Sequence, residues 1–457
     1  MRHMKFALAI MAGAILAACG GDSGNPQPGA QVNKVKFASQ VSFGDSLSDL
    51  GTYNVGAVKA LGGGKFTING DNTAINPALT GKNWTELMAA QFGLPAPCPA
   101  QTGLDGNADL GFSVPVTDHP GCLSYAQGGS RVTNPIGAGH KLTGSALGAL
   151  TVPFAKQVAN HLARTGGKFK GDEVVFVMTG GNDVLVNLSQ LSAAATAAGT
   201  AAGQQAFATS LATQLAAGTA SPATAVRLIG LAIATESARP GSTQTTIVGA
   251  AVTAAVQAGN TTAAATIAAT VDTATKAATA AGAQAGTDYV TAQAPAMIAA
   301  LATAGAEAAT LVKSQLIGNG ANYVVVNNLP DVASTPAGLA RDANVRALID
   351  RMVGAFNAQL ASSLASESKV VIVDVYAVSH DQATNPGPYG LTNVTEPACD
   401  LSPAKNPLTS SLGCTAANLK AGDVSHYSYA DEVHPTPFNN MLLARFVSRS
   451  LVTKGWL

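Results

Sequence analysis

Three short, predominantly apolar runs constrain the fold of this chain more than any other feature. They occupy residues 173–178, 323–326 and 370–375, and none of them alternates between apolar and polar positions. Runs of this kind are typical of strands buried on both faces, as in a parallel sheet covered by helices. A helical spacing of apolar residues over 341–366 supplies one covering helix between the last two runs. The sequence therefore predicts an α/β fold.

A fourth apolar run ends at a turn that suits a nucleophilic serine. Val41 and Phe43 precede Gly44-Asp45-Ser46, and an apolar-spaced segment follows, which predicts a strand, a tight turn and a helix. At the amino end of a helix, backbone N–H groups and the helix dipole favour negative charge. Nucleophilic attack by serine creates an oxyanion that needs such donors. The alternative is an N-cap serine in a glycine turn, since Ser is a preferred N-cap residue.

Four short blocks, taken in order, resemble the GDSL, or SGNH, family of serine esterases and lipases. They are Phe-Gly-Asp-Ser-Leu-Ser-Asp at 43–49, Tyr-Ala-Gln-Gly-Gly at 125–129, Gly-Gly-Asn-Asp at 180–183 and Asp-Glu-Val-His-Pro-Thr at 431–436. Each block is short, but together they span almost the whole chain after its N-terminal segment. The resemblance implies a three-layer αβα hydrolase domain with a central, mostly parallel sheet, built from 35–188 and 309–457. It also implies ester hydrolysis without a cofactor.

The resemblance gives the site residues their roles. Ser46 is expected to be the nucleophile, His434 the general base, and Asp431 the carboxylate that orients the imidazole. The expected oxyanion hole combines the N–H of Ser46, the N–H of Gly129 and the side-chain amide of Asn182.

Some of these assignments have competing interpretations. Asn182 could cap the turn after a strand, and the glycine pair of the second block could form only a tight turn. His426 also follows an aspartate by three residues, but the Pro-Thr pair after His434 matches the family's last block. Thr52 and Ser124 stand where the family often has asparagine, which leaves the pocket walls, and so the substrate, open.

Residues 1–19 have the features of an export signal. A basic start, an apolar stretch over 6–16 and small residues lead to Cys19. This ending resembles a bacterial lipobox, whose cysteine is lipidated, while an ordinary secretory signal is the alternative. Residues 20–34 are typical of a flexible tether. Gly20 after the cysteine suggests, by the same resemblance, the outer membrane of a Gram-negative cell, so the expected protein is exported and lipid-anchored.

Cysteine usage fits an exported protein. The chain has five cysteines, and setting Cys19 aside leaves four. In an oxidising compartment an even count suggests two disulfides, with three possible connectivities. We predict Cys98–Cys122 and Cys399–Cys414, because each pair closes a loop rich in Gly, Pro, Asp and Asn. No pair has Cys-x-x-Cys spacing, and no metal site is predicted.

Residues 189–308 differ sharply in composition from the rest of the chain. Ala and Thr dominate this stretch, and its scattered apolar residues have helical spacing. We expect a helical insertion, either a spacer or a lid or docking element. Outside residues 1–19 the sequence has no run of 18 or more apolar residues, so no membrane-spanning helix is predicted.

The predicted function is a carboxylic ester hydrolase, an esterase or lipase that acts on a small or lipid-like ester through an acyl-enzyme. Balanced charge, 26 basic against 26 acidic residues, gives no electrostatic case for nucleic acid. An acyltransferase of the same fold would differ only in the acceptor of the acyl group. A surface adhesion or polymer-docking lipoprotein is the alternative from another class, although the intact set of site residues argues against it.

Overall fold

The described residues form a mixed α/β protein around a central parallel sheet. The structure is a computed structural model that describes residues 34–70, 79 and 81–457. The predicted export signal, Cys19 and nearly all of the tether lie outside the described residues.

Four parallel strands form the centre of the fold. The strands of the chain are β1 (Ser39–Gly44), β2 (Gln101–Asp105), β3 (Ser113–Asp118), β4 (Glu173–Met178), β5 (Tyr323–Asn327), β6 (Val370–Val373), β7 (Asn393–Pro397) and β8 (Tyr427–Tyr429). The central sheet has the order β1-β4-β5-β6, with every neighbouring pair parallel. The three runs predicted as strands are therefore strands. β6 ends earlier than predicted because Asp374 caps the helix that follows, accepting a hydrogen bond from the N–H of Ala377.

Helices cover both faces of this sheet. They are α1 (Gly56–Ala60), α2 (Trp84–Gln91), α3 (Phe154–Arg164), α4 (Gly181–Ala216), α5 (Pro222–Ser237), α6 (Gln244–Gln257), α7 (Ala263–Leu311), α8 (Pro336–Leu339), α9 (Ala343–Leu364), α10 (Val375–Thr384) and α11 (Pro437–Lys454). Alternate strand residues point to opposite faces. Val41, Val175 and Val324 pack with α3, α7 and α9. Val174 and Val325 pack on the other face with α2 and α11. Full burial of one such side chain contributes roughly 1.5–3 kcal/mol.

Residues 93–120 contain an antiparallel hairpin of β2 and β3. The sequence does not show it, because β3 is largely exposed and lacks a buried face. Both predicted disulfides are confirmed: Cys98–Cys122 closes the base of this hairpin, and Cys399–Cys414 closes a loop near the C-terminus.

The Ala/Thr-rich region is helical and comprises most of α4, all of α5 and α6, and most of α7. α4 and α7 pack along each other through small residues. A Cβ added to Gly199 would lie 2.7 Å from the carbonyl oxygen of Gly282, so only glycine permits this approach. Further out, α5 and α6 pack on both long helices around a separate apolar cluster that includes Leu211, Leu215 and Ile229.

One helical stretch, Ala263–Ile317, is long and apolar enough to cross a membrane by length and composition alone. Its most apolar 18-residue window has a mean hydropathy of 1.4. It contains no uninterrupted run of 18 apolar residues, because threonines and charged residues break the sequence, so it meets the criterion through its mean hydropathy. A third of that window is buried within the fold.

Candidate active site

The turn after β1 is fixed by a glycine that no other residue could replace. Gly44 has φ 140°, and a Cβ there would lie 1.9 Å from the carbonyl oxygen of Met178. Gln157 holds the same glycine from the other side, since its Oε1 accepts from the Gly44 N–H (2.8 Å) and its Nε2 donates to the Gly44 carbonyl (2.7 Å). These contacts place Ser46 just beyond the carboxyl end of β1.

A single turn, and not the predicted helix, follows Ser46. The first helix after it begins only at Gly56. Asp49 explains the difference, because its Oδ1 accepts from the N–H groups of Gly51 (2.9 Å) and Thr52 (2.8 Å) and directs the chain away. The donors around Ser46 therefore come from a tight turn and not from the end of a regular helix.

The structure brings Ser46, His434 and Asp431 together. The Oγ of Ser46 lies 2.8 Å from Nε2 of His434. Nδ1 of the same imidazole lies 2.8 Å from both carboxylate oxygens of Asp431. A Ser–His–Asp arrangement needs these two contacts, one that lets the base take the serine proton and one that fixes the imidazole tautomer.

Asp431 is buried, and backbone donors surround its carboxylate. Oδ2 accepts from the N–H of Ser411 (2.7 Å), and Oδ1 accepts from the N–H groups of Val433 (3.0 Å) and His434 (2.8 Å). Burial raises the pKa of Asp431, but His434 and these hydrogen bonds outweigh burial and hold the pKa well below its usual range. The carboxylate therefore stays ionised beside the imidazole.

Two backbone N–H groups near the serine are available to an oxyanion. Gly128 donates its N–H to Oδ2 of Asp49 (2.8 Å) and is therefore occupied. Over 34–70, 79 and 81–457, the N–H groups of Ser46 and Gly129 have no protein acceptor. Gly129 has φ 80°, and a Cβ there would lie 2.0 Å from the carbonyl oxygen of Ala138. Of the glycine pair, Gly129 carries the free donor.

Asn182 lies in the first turn of α4. Its Nδ2 donates to the carbonyl oxygen of Ser130 (2.9 Å), which fixes the side chain and leaves one amide hydrogen for another acceptor. The preceding Gly181 lies against the carboxyl group of Asp45, since a Cβ added to this glycine would be 3.4 Å from Oδ2 of Asp45. The residues before Asn182 and before Ser46 are thus in contact, so the amide and the serine belong to one site.

Asp45 is a further buried carboxyl group of the site. Burial raises its pKa to about 7, although the N–H of Leu47 and the nearby His434 act in the opposite direction. The charge of this side chain therefore changes close to neutral pH.

Sequence reasoning missed the residues that support the loop over 431–436, which carries Asp431 and His434. The ring of Phe66 lies 4.9 Å from the imidazole of His434, centre to centre. Thr67 donates its hydroxyl to the carbonyl oxygen of Pro435 (2.8 Å). Ser411 supplies the donor to Asp431 already described. No motif marks these residues, because each acts through a contact between distant parts of the chain.

The competing histidine lies elsewhere. His426 packs against the ring of Phe438, with 4.2 Å between ring centres, and Asp423 binds Ser425 and not the imidazole. His380 forms a second histidine–carboxylate pair with Asp331 (2.8 Å), but among the residues that the structure describes no serine bonds its imidazole; Ser334 donates to the carboxylate instead.

In the described part of the chain, no group of three or more His, Cys, Asp or Glu side chains could hold a metal ion. Compared with known protein families, the sequence matches no family model. Nor does any curated protein match it significantly.

Proposed function

We propose that this protein is a carboxylic ester hydrolase of the GDSL, or SGNH, type, acting through an acyl-enzyme. The observation that carries the proposal is the unbroken hydrogen-bond chain from Ser46 Oγ through His434 to the buried, ionised Asp431. The five residues proposed for the site lie in the four sequence blocks that resemble this family, which supports the same assignment.

In the proposed first half-reaction, His434 Nε2 takes the proton of Ser46 as Oγ bonds to the ester carbonyl carbon. The carbonyl oxygen becomes an oxyanion and accepts hydrogen bonds from the N–H groups of Ser46 and Gly129 and from the amide of Asn182. Asp431 stabilises the imidazolium. When the intermediate collapses, the carbon–alkoxy bond breaks and the imidazolium gives its proton to the leaving alcohol.

In the second half-reaction, His434 removes a proton from water as the water oxygen attacks the acyl-enzyme carbonyl. The intermediate collapses with cleavage of the bond to Oγ, the imidazolium returns its proton to Ser46, and the carboxylic acid leaves. No step needs a cofactor.

Export and lipid anchoring through Cys19 remain part of the proposal. The two disulfides support an oxidising compartment. Labelled palmitate should enter the wild-type chain expressed in a Gram-negative host, and the Cys19→Ser variant should stay unlabelled. Labelling of both proteins, or of neither, would contradict the anchor.

The decisive experiment compares hydrolysis of p-nitrophenyl acetate and butyrate by the chain beginning after Cys19 with that of Ser46→Ala. The variant should lose at least about 10³-fold in kcat, because the nucleophile is absent. His426→Ala is the matched control and should retain wild-type activity. Equal activity in wild type and Ser46→Ala would overturn the mechanism.

A further inference from the structure

A groove begins beside the candidate active site and follows α4 outward. Its inner part has a volume of about 560 Å³ and runs between one face of α4 and the segment that carries α8 and the start of α9. Apolar and small side chains dominate its walls: Leu185, Leu188, Val332, Ala337, Gly338 and Ile349.

The groove continues between α4 and α7. This outer part has a volume of about 810 Å³ and shares Leu188, Ser192, Thr196 and Arg341 with the inner part, so the two are continuous. It extends along α4 to Gly199. At 1.5 Å per helical residue, the path from Leu185 to Gly199 is roughly 20 Å long. Both volumes lie in the range of small-molecule sites.

Both walls of the inner end adjoin segments that carry candidate catalytic residues. Leu185 lies one helical turn beyond Asn182 on the same face of α4. From the other wall, Ala337 donates its N–H to the carbonyl oxygen of Glu432 (3.0 Å), within the loop that carries Asp431 and His434. The inner end of the groove is therefore one helical turn from Asn182 and one hydrogen bond from the loop that carries Asp431 and His434.

The chemistry of the lining points to a hydrocarbon chain. Its charged residues are Arg341 and Asp342, both exposed. The carboxylate of Asp342 is already occupied by the N–H groups of Asn344 (3.0 Å) and Val345 (2.9 Å). Arg341 can line the groove with its aliphatic stem while its guanidinium stays in water. The remaining walls offer apolar carbon, the exposed amide of Asn344, and the hydroxyl groups of Ser189, Ser192, Thr196, Thr287 and Thr291.

We infer that this groove binds the acyl chain of a long-chain carboxylic ester, with the carbonyl at Ser46 and the chain running outward along α4. The inference rests on the proposed hydrolase function and deepens it, because it assigns the substrate class. An acyl chain of about twelve to sixteen carbons would occupy most of the path. Each methylene held there should strengthen binding about fourfold.

A bulky residue in the groove tests the inference. Ser192 lies on the exposed rim that both parts share, so Ser192→Trp fills the groove without disturbing the core. Gln190→Trp is the matched control, since it is exposed on the same helix but is not part of the lining. We expect kcat/KM for p-nitrophenyl palmitate to fall at least tenfold in Ser192→Trp, with the value for acetate within twofold. Gln190→Trp should change neither.

A binding measurement separates this inference from the proposed reaction. A dansyl-labelled undecanoic acid probe is titrated into Ser46→Ala, with and without Ser192→Trp or Gln190→Trp. We expect at least tenfold weaker binding with Ser192→Trp alone. Equal probe binding in all three proteins, or no binding at all, would overturn the groove. If Ser192→Trp selectively weakens probe binding but the protein with Ser46 intact hydrolyses no ester, the groove stands and the proposed reaction is overturned.

Ser189→Trp, on the inner rim of the groove, is a second test variant in case Ser192→Trp destabilises the protein. If Ser192→Trp lowers the unfolding temperature, Ser189→Trp decides the question by the same two measurements.

Discussion

The backbone N–H of Ser411 donates a hydrogen bond of 2.7 Å to Oδ2 of Asp431. Ser411 lies in the loop closed by the Cys399–Cys414 disulfide. Asn69 holds this loop from another part of the chain, since its N–H donates to the carbonyl oxygen of Cys414 (2.8 Å). A disulfide-closed loop thus supplies a donor to the carboxylate that orients the proposed general base.

Replacing Ser411 with proline removes this donor and should lower kcat/KM for p-nitrophenyl acetate about tenfold. A hydrogen bond to a charged group contributes roughly 1.5–3 kcal/mol to stability. Part of this energy should stabilise the transition state, through the carboxylate that orients His434. Ser410 is extended, with φ −150° and ψ 156°, as a residue before proline requires. Ser411→Ala keeps the N–H and should retain wild-type activity. Equal rates in the two variants would show that the bond is not needed.

The two disulfides should separate stability from activity. Cys399→Ser with Cys414→Ser opens a loop with a sequence separation of 15, which should cost about 3 kcal/mol of unfolding free energy. Cys98→Ser with Cys122→Ser should cost a similar amount, since the separation is 24. At a temperature where both variants are folded, only the first should lose kcat/KM. Urea unfolding shows which temperature keeps both double variants folded. Equal losses of kcat/KM in the two variants at that temperature would contradict the role given to the loop that carries Ser411.

Asn182→Ala should lower kcat about 10²–10³-fold with little change in KM, because an oxyanion donor acts mainly in the transition state. Asn187→Ala is the matched control. Asn187 lies on the same helix and donates to the carbonyl oxygen of Asp183 (2.8 Å), away from the serine. A large effect of Asn187→Ala, or none of Asn182→Ala, would contradict the proposed oxyanion hole.

Asp45 should make stability depend on pH near neutrality. The unfolded chain releases this proton near pH 3.8, whereas burial raises the pKa in the folded protein to about 7. Folding is therefore favoured below pH 3.8, and that contribution is lost as pH rises to about 7. The difference between the two pKa values corresponds to up to about 4 kcal/mol of unfolding free energy.

Urea unfolding of Asp45→Asn and wild type at pH 4 and pH 8 measures this contribution. The variant amide still has an oxygen for the N–H of Leu47 (3.1 Å). Its stability relative to wild type should rise between pH 4 and pH 8. A relative stability that is flat or falling over this interval would contradict the assignment.

The Ala/Thr-rich helices α4 to α7 form a helical extension, and its outer end should be dispensable for small esters. Its cluster around Leu211 and Ile229 contains only residues between Phe207 and Ala274. Deleting 206–275 and joining the two long helices by a short Gly-Ser turn should leave p-nitrophenyl acetate hydrolysis within twofold. A more than tenfold loss in a folded variant would place an essential element in the extension.

The central sheet could be predicted because its strands are buried on both faces and are therefore continuously apolar. The hairpin of β2 and β3 could not, since neither strand has a continuous apolar run or a buried face. The predicted helix after Ser46 failed for a local reason: the carboxylate of Asp49 binds N–H groups that a helix would have used. Hydrophobic spacing does not report this competition between side chain and backbone.

The proposed catalytic residues could be chosen from short motifs, but their supports could not. Ser411 and Phe66 reach Asp431 and His434 only after distant segments pack, and neither belongs to a recognisable pattern. The choice of His434 over His426 depended on the residues that follow it. In the structure His434 lies at Ser46, and His426 lies against Phe438.

The position of the extension has a consequence for how the chain folds. β4 and β5 are neighbours in the sheet, yet the whole extension separates them in sequence. A flexible loop of that length would slow their pairing through the entropy of closing it. Because α4 and α7 pack against each other, a helical hairpin can form first and bring the two strands together. Ser46 and His434, near opposite ends of the chain, should then meet only in the last steps of folding.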